Sequence, residues 1–263
     1  MPEKWMKKNA LAASLLLLGC SAFAQAPKST LYQYATIDAL LAGAYEGDLT
    51  IAALRKKGNF GIGTFNRIDG EMVLVDGVAY KAKSDGTVVV AKPNEKTPFA
   101  TVTHFKAGTR LRVDAPLTMA ALEAWLDTKL TNKNLFYAIR FDGQFGELTT
   151  RAISPQDKPY KPLAEVSKTQ SVFNLPAQTG TLVAFRSPGF SKGFNVPGYH
   201  WHYLARDRKG GGHVLSMSLL KGVVQVASVS HLELKIPTSA GFAEADQSVD
   251  RAAELHAVES VRK

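Results

Sequence analysis

The sequence predicts an α+β protein of two β-rich halves, built of mixed and antiparallel sheets, with helices at the periphery. Three observations carry this prediction. Short runs of β-branched and aromatic residues recur along the 263 residues, several of them separated by Asp-Gly pairs that suit tight hairpin turns. Helical periodicity is confined to a few stretches. Between Pro155 and Pro162 regular structure is interrupted as a linker would interrupt it, which sets a soft boundary between an N-terminal α/β domain, 31–154, and a β-rich C-terminal domain with a helical tail, 163–263.

The first 24 residues read as a processed export segment. Lys4, Lys7 and Lys8 give a positive start, and Leu11 to Gly19 is an apolar core too short to span a bilayer as a helix. Ala22-Phe23-Ala24 offers small residues for ordinary signal cleavage, whereas Leu17-Leu18-Gly19-Cys20 resembles a lipoprotein box, in which Cys20 would carry a lipid anchor. Either way the expected location is periplasmic or secreted, soluble or membrane-anchored. Cys20 is the only cysteine, so the mature domain has no disulfide, no thiol nucleophile and no thiolate metal ligand.

After a linker near Gln25 to Thr30, Thr36 caps a helix through Ile37, Leu40, Leu41 and Ala44, and Thr50 caps a shorter one through Leu54. Gly61–Phe65, Met72–Val75, Val78–Ala82 and Thr87–Val90 then form an antiparallel meander turning at Asp69-Gly70, Asp76-Gly77 and Asp85-Gly86. Thr118 to Leu130 is helical, with Met119, Leu122, Trp125 and Leu126 on one side. Leu135–Phe141 and Glu147–Ile153 read as a hairpin turning at Asp142-Gly143. Beyond the linker, Thr181–Phe185, Tyr199–Ala205, His213–Leu220 and Val223–Ile236 continue the β theme, and Ala243 to Arg262 forms the tail. No internal repeat or low-complexity segment interrupts the series.

The formal net charge is +9; removing residues 1–24 takes away three lysines and one glutamate and leaves +7. The basic residues are interspersed with carboxylates and form no run of five or six, which argues against a nucleic-acid partner and is compatible with a small anionic substrate.

His200, His202 and His213 are the most informative residues. In a strand, residues two apart share a face, so His200 and His202 project together while Tyr199, Trp201 and Tyr203 project oppositely. The polar, glycine-rich run Arg206 to Gly212 suits a hairpin loop centred near Asp207 and Arg208, which folds His213 back opposite His202. Three imidazoles with a fourth position open to reactant suit a catalytic zinc. No such argument attaches to His104, His231 or His256.

Several separated motifs resemble the α-acetolactate decarboxylase family: Leu31 to Asp48, Gly61-Ile-Gly-Thr-Phe-Asn66, Asp69-Gly-Glu71, Phe136-Tyr-Ala-Ile-Arg140 and Gly198-Tyr-His-Trp-His202. The resemblance implies a homodimeric zinc enzyme that converts (S)-2-hydroxy-2-methyl-3-oxobutanoate, 2-acetolactate, to (R)-acetoin and CO2. It implies zinc ligation by His200, His202 and His213. It places active-site carboxylates at Glu71 and, from the tail, Glu259, with Glu254 as the alternative. It places an active-site arginine at Arg151, although Ala152 replaces the threonine that follows in the family motif, and it puts Thr64 in the same pocket. A β-keto acid needs no organic cofactor as electron sink, because the ketone next to the breaking bond accepts the electrons. The residues alone also fit a zinc hydrolase with Glu71 activating water, or an exported metal-binding protein.

Overall fold

The computed structural model describes residues 30–259; the export segment expected over residues 1–24, with Cys20, and the last four residues of the tail lie outside the described residues. Seven strands form the first sheet: β1 (Thr30–Tyr34), β3 (Phe60–Thr64), β4 (Glu71–Val75), β5 (Val78–Ala82), β6 (Val88–Val90), β8 (Ala100–Thr103) and β16 (His231–Lys235), in the order β16-β1-β8-β3-β4-β5-β6. The pairs are antiparallel except β1 with β16, which run parallel. The second sheet contains β9 (Thr109–Val113), β10 (Leu117–Thr118), β11 (Phe136–Ala152), β12 (Ser171–Leu175), β13 (Gln178–Ser187), β14 (Gly198–Ala205) and β15 (Gly211–Val229). Two-residue strands β2 (Leu49–Thr50) and β7 (Lys96–Thr97) pair with each other.

Alternation along the strands builds the layers. In β4, Val73 and Val75 join a cluster with Phe136, Ala138, Val183 and Phe185 of the second sheet, so this cluster fills the space between the two sheets. Met72 and Leu74 point the other way, into a cluster with Ile51 and Leu54 of helix α2 (Ile51–Leu54). The outer face of the second sheet packs Ile139, Phe141, Leu182, Trp201 and Tyr203 against Leu122 and Leu126 of helix α3 (Met119–Lys129). Among the described residues the remaining α-helices are α1 (Ile37–Leu41), α4 (Leu163–Val166), α5 (Ala240–Glu244) and α6 (Ala252–Glu259), with 3-10 turns at Asn66–Ile68, Ser167–Thr169 and Gly189–Ser191.

The expected caps are in place. Thr36, Thr50 and Thr118 each accept a hydrogen bond from the backbone N–H three residues on, at 3.3, 3.2 and 3.2 Å. Asp76 and Gly77 both have positive φ, 52° and 76°, as a tight two-residue hairpin turn requires.

Three expectations change. Asp142-Gly143 is no turn: β11 runs straight through it, pairing Asp142 with Thr181 on one side and Val223 on the other, and Gly143 with Gly180 and Gly222. A Cβ on Gly143 would lie 2.8 Å from the Gly222 Cα, so the glycines serve close strand approach, and Asp142 is occupied by Arg140, Thr181 and Gln225. The separate strands expected over 213–220 and 223–236 are likewise one strand, β15, followed by β16. The tail is two short helices, because Asp246 to Ser248 and Asp250 to Ala252 make local side-chain-to-backbone turns between them.

The 155–162 run does not separate two sheets. β11, before it, pairs with β12, β13 and β15 after it, while β16 from the chain's end joins the first sheet beside β1. Burial of both faces of the first sheet needs partners from both halves of the sequence.

Candidate metal centre and active site

Backbone register assembles the site between the sheets. Pairing of β14 with β15 sets His202 opposite His213, and pairing of β11 with β15 sets Arg151 opposite the same His213. On the facing sheet, Thr64 lies opposite Glu71 across β3 and β4. The alternation expected in β14 holds: Trp201 and Tyr203 enter the outer core, and the histidines face inward. Arg208, with φ of 61°, lies in the loop that returns the chain to His213.

The three histidines are buried, at 7, 1 and 2% exposure for His200, His202 and His213. Their ligand atoms lie within 4.8 Å of one another. His200 Nε2 is 3.1 Å from His213 Nδ1 and 3.2 Å from His202 Nε2. His202 donates through Nδ1 to the Met72 carbonyl at 2.8 Å, which leaves its Nε2 as a lone-pair donor facing the other rings. Burial, aided by the Arg151 guanidinium, pushes the His200 pKa down to about 3, and burial is also the main cause holding His202 and His213 well below the usual imidazole range. Three neutral nitrogens therefore converge on one point and could hold a divalent metal.

Two carboxylates and one cation border the trio. Glu71 accepts from Arg151 Nη1 at 2.6 Å, while its second oxygen is 3.7 Å from His202 Nε2. Arg151 is 4% exposed and its Nε has no hydrogen-bond partner. Glu259, at the end of α6, approaches His213 at 3.6 Å and His200 at 3.7 Å. Glu254 instead pairs with Arg251, which separates the two tail candidates. Burial pushes the Glu71 pKa up to about 7, opposed by Arg151 and reinforced by Glu259; burial does the same for Glu259. Thr64 lines the cavity and donates to the Gly70 carbonyl at 2.7 Å, bracing the turn that delivers Glu71. His104, His231 and His256 are exposed and do not join the trio.

The other side of the cavity carries no single motif in the sequence. Ile37, Leu40, Ile68, Phe99, Ile153 and Leu163 line it, and all six belong to one packed cluster with α1, α4 and α6. Nothing in their spacing marks them, since they come from separate elements and loops. Ile68 alone has a local signature, a φ of 56° three residues before Glu71, which costs a β-branched residue about 1–3 kcal/mol.

Residues 31–248 match the sequence family described as alpha-acetolactate decarboxylase. The chain is 42% identical to the alpha-acetolactate decarboxylase of Methanosarcina mazei over 229 residues, covering 87% of this chain and 80% of that one. It is 40% identical to that of Klebsiella aerogenes, covering 85 and 86%. The crystal structure of alpha-acetolactate decarboxylase from Bacillus subtilis strain 168 superposes with a TM-score of 0.87 at 36% identity, over 88% of this chain and all of the other.

Proposed function

The chain belongs to the alpha-acetolactate decarboxylase family and decarboxylates 2-acetolactate to acetoin; we propose that it does so with zinc held by His200, His202 and His213. Three buried, uncharged imidazole nitrogens form the donor set that a borderline divalent cation takes, and they leave room for a reactant. When bound, the ion supplies positive charge that stabilises the negative charge growing on the substrate ketone oxygen.

The chain's own residues do the rest. Arg151 spends Nη1 on Glu71 and keeps Nε free, so it can grip the substrate carboxylate with a charged donor. That grip fixes the torsion about the breaking carbon–carbon bond, which must stand perpendicular to the ketone plane for its electron pair to pass into the carbonyl as CO2 leaves. The resulting enediolate needs a proton on carbon. Burial raises both carboxyls to a pKa near 7, but Glu71 is tied to Arg151, whereas Glu259 has neither lysine nor arginine in ion-pair contact among the described residues, so Glu259 is the proton donor in this reading. A donor fixed on one side protonates one face, giving (R)-acetoin from the (S)-substrate.

The observation that carries this reading is the meeting of the three imidazoles with Glu71, Arg151 and Glu259 around one cavity. His200→Ala, His202→Ala and His213→Ala are each expected to lose metal, read by elemental analysis, together with acetoin formation. Full zinc occupancy and activity in any of them would remove that histidine from the site.

Two further parts of the proposal rest on the sequence. The lysines and apolar core of residues 1–24 support export, with cleavage after Ala24 or lipidation at Cys20, and the family resemblance supports a homodimer. Intact mass of the mature chain distinguishes the two forms of processing, and sedimentation reads the dimer.

A further inference from the structure

The cavity has two chemically distinct walls. The histidines, Glu71, Arg151 and Glu259 form the polar one. The apolar one is a contiguous patch, because its six side chains all pack within a single cluster. Five of them are supplied by α1, α4, Ile153 and Phe99, with ordinary backbone conformations. Ile68 is different. Among the described residues, five non-glycine residues have positive φ, and Ile68 is the only β-branched one.

The turn around Ile68 is braced on both sides. Arg67 N–H donates to the Tyr45 carbonyl at 2.8 Å and Gln156 N–H to the Arg67 carbonyl at 2.8 Å. Gly70 N–H donates to the carbonyls of Ile68, at 2.7 Å, and Ile153, at 3.2 Å. Asn66 clasps Gly47 through both its N–H and its carbonyl, at 2.9 and 3.0 Å. This bracing holds a conformation that glycine would adopt without steric cost, yet the residue present is a bulky aliphatic one, 2% exposed and lining the cavity. An asymmetry of this kind keeps a side chain at a defined depth in the pocket.

We propose that Ile68 is a specificity-determining residue that limits the length of the alkyl groups the substrate can carry. The inference rests on the decarboxylase reading. Polar partners exist in the cavity for the carboxylate, ketone and hydroxyl of a 2-hydroxy-3-oxo acid, which leaves its two methyl groups to the apolar wall. A wall fixed by braced backbone cannot retreat from one more methylene, and such a group typically changes discrimination by about 10–200-fold.

The test compares kcat/KM for 2-acetolactate with that for two homologues, one lengthened by a methylene at C2 and one at the ketone. Wild type should favour 2-acetolactate over both. Ile68→Gly, which removes the side chain and relieves the backbone, should raise the homologue-to-acetolactate ratio about tenfold or more for at least one homologue. Ile68→Val shortens the wall by one methylene and keeps its branching, so it should shift the ratio the same way by less; it is read in place of the glycine variant if that enzyme fails to fold. Ratios within twofold of wild type for both homologues, in a variant whose melting temperature shows it folded, would overturn the assignment while leaving the decarboxylase reading intact. A wild-type enzyme that releases CO2 from none of the three compounds would instead bring down the decarboxylase reading and this inference with it.

Discussion

Arg151 and Glu71 form a buried ion pair in which each partner has a second task, since Arg151 keeps an unpartnered Nε and Glu71 keeps an oxygen beside His202. Arg151→Ala is expected to lower turnover by about a hundredfold or more with zinc retained, checked by steady-state kinetics beside metal analysis. The carboxyls and imidazoles pull the metal-free protein's stability in opposite directions. Each histidine has a folded pKa below its ordinary 6.5, so the unfolded chain takes protons that the folded site refuses, and stability is lost as pH falls below 6.5. Glu259, raised to about 7 from 4.5, binds its proton more readily when folded, so it adds stability as pH falls from 7 towards 4.5. Glu259→Gln removes only the second effect, and the drop in melting temperature from pH 7 to pH 5 should be steeper than in wild type. At this scale the histidine trio was legible because strand alternation and hairpin return are local rules, whereas Thr64, Glu71 and Arg151 were marked only by the resemblance of their motifs to the family. Glu259 could not be separated from Glu254, since the choice depends on where a helix docks and on Arg251 claiming its neighbour. The Met72 carbonyl that orients His202 left no trace in the sequence, being backbone.

Helix α3 holds the histidine-bearing strand β14 from behind. Trp201, between the two inward histidines of β14, donates through Nε1 to Glu123 at 2.8 Å, and Tyr199 donates to Asp127 at 2.9 Å. The two rings stack with centroids 5.6 Å apart. Glu123→Ala would leave the Trp201 N–H unsatisfied at 2% exposure, and a destabilisation of about 1–3 kcal/mol is expected, read by denaturant titration. The same variant should release zinc faster, measured by transfer to a chromogenic chelator, because the strand carrying His200 and His202 loses a tether. The amphipathic pattern of α3 was readable, and the threonine caps were too. The through-running strands β11 and β15 were not: a glycine read alone signals a turn, and only the facing Gly143 and Gly222 show that the requirement is close approach.

Across the whole molecule, strands from both halves of the sequence share each sheet, and the space between the sheets is filled from both. Calorimetry of the metal-free protein should therefore show one cooperative transition, with van't Hoff and calorimetric enthalpies in agreement; two separable transitions would mean that the halves fold independently. The α+β class was legible from local periodicity, whereas the interleaving was not, because pairing between distant strands is decided by burial of both sheet faces and leaves no local mark. The parallel pairing of β1 with β16 adds a temporal condition. During vectorial synthesis β1 emerges well before β16, so its outer edge waits uncovered until the ribosome has delivered residues 231–235. Completion of this sheet thus waits for β16, and a nascent chain must be kept from pairing that edge with a neighbour in the meantime.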